Sequence, residues 1–117
     1  MKLELKHFNA YPPSLKIMWE DTICRFEGID YDNESVILER VNVPLDEIKP
    51  ILRPISFILL NDFEMSISDI DHLQKMINGN TTEYRWLTHR TISHLFQNHY
   101  DVFGLIKLGL AIDINTL

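Results

Sequence analysis

His89, His94 and His99 recur at every fifth position near the end of this 117-residue chain, and imidazoles in that number raise metal binding first. On a helix a step of five rotates each ring about 140° from the last, so the three do not share a face as an i, i+4 pair would. A site built on His94 and His99 would need Asp101 or His72 as further ligands. The ordinary reading is surface or half-buried histidine, and no metal or other cofactor is expected.

Nucleophilic chemistry finds less support. Cys24 falls in a strand-like stretch with no base at hand, and Ser93-His94 is an adjacency without a third member. The four glycines form no phosphate-cradling loop with a lysine. The paired carboxylates Asp30/Asp32, Asp69/Asp71 and Asp101/Asp113 are explained by turns and helix starts, with Asp113 the exception inside a terminal strand. The expectation is that the chain is not an enzyme and has no small-molecule ligand.

Arginines beside aromatics suit an interface better. Arg53 with Phe57, and Arg85 next to Trp86, are residue types that anchor partners, so Arg53, Phe57 and Arg85 are the candidate partner-binding residues. Core packing is the competing role for Trp19, Phe26, Trp86 and Phe96. A net charge of −6 argues against sequence-independent binding to a phosphate backbone. Two alternatives stay open: a nucleic-acid accessory factor whose sheet face carries Lys16, Arg25, Lys49 and Arg53, and an acidic mimic of nucleic acid.

Length and composition, 45% hydrophobic and 24% charged, suit one domain over 1–117, β-rich at 14–60, helical at 64–109 and ending in a strand at 110–115. The lone cysteine, the charged N-terminal alternation and the short apolar run Ile55–Leu60 give a cytoplasmic expectation without a membrane span.

Position by position, Leu3–Tyr11 reads as a short helix stopped by Pro12-Pro13. Leu15, Ile17 and Trp19, then Cys24 and Phe26, alternate as a hairpin turning at Asp21-Thr22, with Gly28 placed for a bulge. Val36–Val43 reads as one strand ended by Pro44 and Ile51–Arg53 as a short fourth strand, while Ile55–Phe63 fits strand or helix. Ser66-Ile-Ser-Asp69 opens a helix whose stripe is Ile67, Ile70, Leu73, Met76 and Ile77 and whose stop is Asn78-Gly79. Thr88 or Thr91 caps a second helix carrying Ile92, Leu95, Phe96 and His99. Asp101 caps one turn over Val102–Leu108, Gly109 ends it, and Leu110, Ile112 and Ile114 alternate as a last strand. The fold class is α+β: a small N-terminal antiparallel sheet or half-open barrel, two or three helices packed on it, and a C-terminal strand.

Two blocks, Lys49-Pro-Ile-Leu-Arg-Pro-Ile55 and His99-Tyr-Asp-Val-Phe-Gly-Leu-Ile-x-x-Gly-Leu-Ala-Ile-Asp-Ile-Asn-Thr-Leu117, resemble a family of small uncharacterised bacterial proteins of Bacteroidales genomes, often in prophage-like or mobile regions. The segment after Pro54 is more apolar here than in that family. The resemblance implies no catalytic or binding residue. With the acidic charge it gives the expectation of a small interaction or accessory protein of prophage or mobile-element origin, with a protein partner or a second copy bound.

Overall fold

The computed structural model describes residues 2–55, 66–78 and 84–117. Its organising layer is a six-stranded sheet of order β4-β3-β2-β1-β5-β6, antiparallel except for its last pair and open at both edges, not closed into a barrel. With the two α-helices found among the described residues it makes an α+β fold.

Strands β1 (Lys16–Trp19) and β2 (Thr22–Asp30) form the first hairpin. It turns at Glu20 (φ 50°) and Asp21 (φ 61°), one residue earlier than the polar pair Asp21-Thr22 suggests. Two positive φ values suit the right-handed twist of the flanking strands. Pairing Ile17 with Cys24 sends both to the core and puts Lys16 opposite Arg25 on the other face. The register of β2 against its next partner shifts between Phe26 and Gly28, the bulge that Gly28 suggests.

The run read as one strand is two: β3 (Ser35–Leu38) and β4 (Val41–Pro44), joined by Glu39 (φ 47°) and Arg40 (φ 69°). Val36 and Leu38 are buried on one parity and Val43 on the other, so the alternation changes phase at the turn. The Glu27 carboxylate accepts from the Arg40 backbone N–H at 2.6 Å and helps to hold it.

After a 3₁₀ turn, Leu45–Glu47, strand β5 (Ile48–Leu52) pairs with β1, starting three residues earlier than the Ile51–Arg53 reading. The terminal strand β6 is present but spans only Ile112–Asp113, parallel to β5. Two neighbouring turns shorten it. Leu110 N–H is committed to Leu105 O at 3.0 Å, and the Asp113 carboxylate caps Asn115 N–H at 2.9 Å, starting the 3₁₀ turn Ile114–Thr116.

Helix α1 (Ile67–Ile77) starts at Ser66, whose hydroxyl accepts from Asp69 N–H at 3.2 Å, and helix α2 (His89–Gln97) starts at Thr88. Leu73 and Met76 from α1, and Leu95 and Phe96 from α2, join Phe8, Leu15, Ile17, Leu38 and Leu52 in the core. Asp69 is more than a first-turn residue. Its buried carboxylate accepts from Thr88 N–H (3.1 Å), Thr88 Oγ1 (2.6 Å) and Thr91 Oγ1 (2.7 Å), tying the start of α1 to the start of α2. Burial works to raise its pKa, but the hydrogen bonds from Thr88 and Thr91 outweigh burial and hold it below the usual carboxylate value. Leu3–Tyr11 contains a 3₁₀ turn at Leu5–His7, not an α-helix. Among the described residues no helix is long and apolar enough to cross a membrane.

Candidate anion-binding site

Three segments far apart in sequence meet at one end of the outer sheet face. The first is Pro12–Trp19. Ser14 follows two prolines and precedes β1, so its side chain is presented at the strand entrance. Two residues on, Lys16 faces outward beside its cross-strand partner Arg25. Met18 pairs with Ile23 on one side and Lys49 on the other, continuing the same face with an apolar row; Ile23 is 48% exposed.

The second segment is the end of β5. Alternation puts Arg53 on the side of Lys49 and Ile51; Ile51 between them is buried, so on β5 this face is open at Lys49 and at Arg53 and covered between them. Its backbone is fixed twice: Arg53 N–H donates to His99 O at 2.8 Å, and Asp101 N–H donates to Arg53 O at 2.8 Å. Its guanidinium lies over the Tyr100 ring, 4.5 Å from the centroid, a cation–π contact that restricts an otherwise mobile side chain.

The third segment is the C-terminus of α2. His99 N–H donates to Phe96 O (3.1 Å) and Tyr100 N–H to Leu95 O (3.0 Å), the paired bonds of a Schellman cap with His99 at the left-handed position, φ 61°. The same pairing recurs ten residues later, from Gly109 N–H to Ile106 O and Leu110 N–H to Leu105 O, both 3.0 Å, with Gly109 at φ 75°. Glycine fills the second turn, as the conformation favours; histidine fills the first. Its Nε2 lies 3.0 Å from Ser14 Oγ. Burial first, then the charges of Arg53 and Lys16, push the His99 pKa below the ordinary histidine value.

Lys16, Arg25, Lys49 and Arg53 thus share one face of a chain of net charge −6. Among the described residues only Arg25 of these four has a carboxylate within ion-pair distance, Glu27 at 3.8 Å. A shallow pocket of about 380 Å³ lined by Pro13, Ser14, Arg25, Phe26 and Glu27 opens beside the cluster. A larger groove of about 670 Å³ mixes Lys2 and Lys6 with Glu4, Glu34 and Asp46, and Lys6 is already paired with Glu4 at 3.3 Å.

The residues singled out from sequence are placed as follows. Arg53 belongs to the cluster. Arg85 is exposed on the 3₁₀ turn Tyr84–Trp86, beside the 74%-exposed Trp86, and no described contact joins it to Arg53. Phe57 and most of Ile55–Phe63 lie outside the described residues. No group of three His, Cys, Asp or Glu side chains able to hold a metal occurs among the described residues. The Cys24 thiol is pushed up by burial and then by Glu39 and Glu20, which disfavours the thiolate a nucleophile needs. Asp101, the expected cap, accepts from Leu105 N–H (2.7 Å) and Ile106 N–H (3.0 Å). Ser14 had no signal in the sequence, because its partner lies 85 residues away. The basic sheet face was legible from strand alternation; its junction with His99 was not. Comparison of the chain with protein-family models, with curated proteins and with solved structures finds no match in any of the three, so the site rests on its own geometry.

Proposed function

We propose that this protein is a small, non-catalytic binding module that takes an acidic segment of a partner protein on the outer face of its sheet. One observation carries the reading: Lys16, Lys49 and Arg53 share a face and have no carboxylate partner among the described residues, although the chain as a whole is acidic. A surface that concentrates cations against the net charge attracts anions locally and repels long polyanions beyond the patch. Half-buried Met18 and exposed Ile23, in the row beside Lys49, suit apolar residues interleaved with the acidic ones.

Nucleic acid is the second reading, supported by the same cations. Two features weigh against it. Among the described residues the exposed aromatics Tyr31 and Trp86 sit on the β2–β3 turn and on the turn before α2, not at the outward strand positions that carry the cations, so those strands offer no stacking platform of the kind single strands use. The net charge also opposes an extended phosphate backbone. The resemblance of the two sequence blocks supports a prophage or mobile-element setting, and a single buried cysteine suits the cytoplasm.

The test is fluorescence anisotropy of a labelled peptide of alternating glutamate and leucine. Binding by the wild type that is lost in Lys16→Glu/Arg25→Glu supports the reading. No binding, or binding indifferent to the reversal, contradicts it. Tighter binding of an oligodeoxythymidine with a steep salt dependence favours the second reading.

A further inference from the structure

We propose that Ser14, Lys16, Arg53 and His99 form a seat for one phosphoryl group, carried as a phosphoserine or phosphothreonine on the partner's acidic segment. This inference rests on the binding-module reading and specifies what that surface recognises. A carboxylate has two acceptor oxygens and one charge, and a single arginine can satisfy it. A phosphoryl monoester carries three acceptor oxygens and close to two charges, and needs donors converging from several directions.

The cluster supplies that set. Lys16 brings a point charge from β1, and Arg53 a planar fork from the end of β5. The Ser14 hydroxyl and the His99 imidazole stand 3.0 Å apart between loop and helix cap. The only carboxylate near His99 in its own turn, Asp101, is committed to the N–H groups of Leu105 and Ile106, so the donors are not already neutralised from that side.

The site is also held in place before any ligand arrives. Arg53 is fixed by two backbone hydrogen bonds and by Tyr100 beneath its guanidinium. His99 sits in a left-handed cap position for which the equivalent turn at Gly109 uses glycine. Backbone strain alone does not select His99, because Glu20, Asp21, Glu39 and Arg40 also have positive φ at hairpin tips. What separates His99 is that its side chain reaches a hydroxyl from another element and lies close to two cations. Those cations disfavour the imidazolium, and a dianion seated among them removes that penalty. Occupation therefore couples to a rise in the His99 pKa. The pocket beside Ser14, bounded by Arg25, Phe26 and Glu27, gives room for the chain that bears the phosphoryl group.

The experiment compares three short glutamate–leucine peptides that differ only at one central residue, phosphoserine, serine or glutamate, with inorganic phosphate and oligodeoxythymidine as further probes. The phosphoserine peptide is expected to bind about tenfold or more tighter than the serine peptide, with glutamate giving only part of the gain. It is also expected to raise the His99 pKa in an NMR titration. In His99→Gly, whose fold the glycine-compatible cap preserves, and in Arg53→Gln, the phosphoserine advantage shrinks; thermal melting of both variants checks the fold. Equal binding of the three peptides overturns the phosphoryl seat and leaves the acidic-segment reading standing. Binding of none of them overturns both. Inorganic phosphate that raises the His99 pKa while the phosphopeptide binds no tighter than serine makes free phosphate the ligand and overturns the peptide source; preference for the oligonucleotide overturns the proposal in favour of nucleic acid.

Discussion

Ser14 Oγ and His99 Nε2 lie 3.0 Å apart across 85 residues of chain, and that hydrogen bond joins the entrance of β1 to the C-terminal cap of α2. With Lys16 and Arg53 beside it, the imidazole senses two cations. Replacing Lys16 by glutamate removes one and adds a negative charge. The His99 pKa in Lys16→Glu is therefore expected to rise relative to wild type, read by the pH dependence of its ring-proton chemical shifts. An unchanged value would place Lys16 too far away to belong to the cluster.

His99 occupies a backbone position that favours glycine. In His99→Gly the relief at positive φ and the added freedom of the unfolded chain oppose each other, each about 0.5–1 kcal/mol. Stability is expected to stay within about 1 kcal/mol of wild type in urea denaturation. A loss well beyond that would show that the Ser14 contact holds the fold, not a site.

The Asp69 carboxylate is the tie between the two helices. Asp69→Ala leaves the Thr91 hydroxyl and the Thr88 N–H without their acceptor, while the Thr88 hydroxyl keeps Thr91 Oγ1 at 3.2 Å, at a cost of about 2–4 kcal/mol. Its pH dependence has a definite sign. Because hydrogen bonds hold the folded pKa below the unfolded value of about 3.9, this contribution is whole above that value and is lost as pH falls through the lower folded pKa. The fall in thermal stability on acidification should be shallower in Asp69→Ala than in wild type.

Asp101 has the opposite sign. Burial raises its pKa despite the N–H donors of Ile106, Leu105 and Gly104, so its contribution is whole below the unfolded carboxylate value and is lost as pH rises through the higher folded value. Acid stability thus sums two opposed groups, and comparing Asp69→Ala with Asp101→Asn across pH separates them.

These assignments also show what the sequence made legible. Ser66 and Gly109 are local signals, each satisfied within a few residues of itself, and both read correctly; the bulge at Gly28 also reads correctly, and of the two threonines that could cap α2 the structure uses Thr88. The alternation of Lys16, Ile17 and Met18 against Cys24, Arg25 and Phe26 likewise fixes which side chains face out. Glu39-Arg40 carries no glycine or asparagine to mark a turn, so β3 and β4 read as one strand; only the phase change from Val36 and Leu38 to Val43 betrays it. Leu110, Ile112 and Ile114 alternate, but Ala111 is the buried residue, because hydrogen bonds on either side leave room for only two strand residues. Asp69 reads as a cap and proves to bridge helices, and Ser14 and His99 meet only through the tertiary fold.

The Glu39-Arg40 turn gives a further check. Glu39→Asn with Arg40→Gly supplies the residues that two successive positive φ values favour and should stabilise the protein by about 1 kcal/mol. Destabilisation would contradict the hairpin and restore the single-strand reading.

The affinity of the glutamate–leucine peptide is compared for wild type and for Lys16→Glu/Arg25→Glu, with melting of both proteins to confirm that they are folded. Binding by wild type, weakened at least about tenfold by the charge reversal, is the expected result. Equal affinity for the two folded proteins, or no binding by either, would contradict the assignment of the outer sheet face as the partner surface.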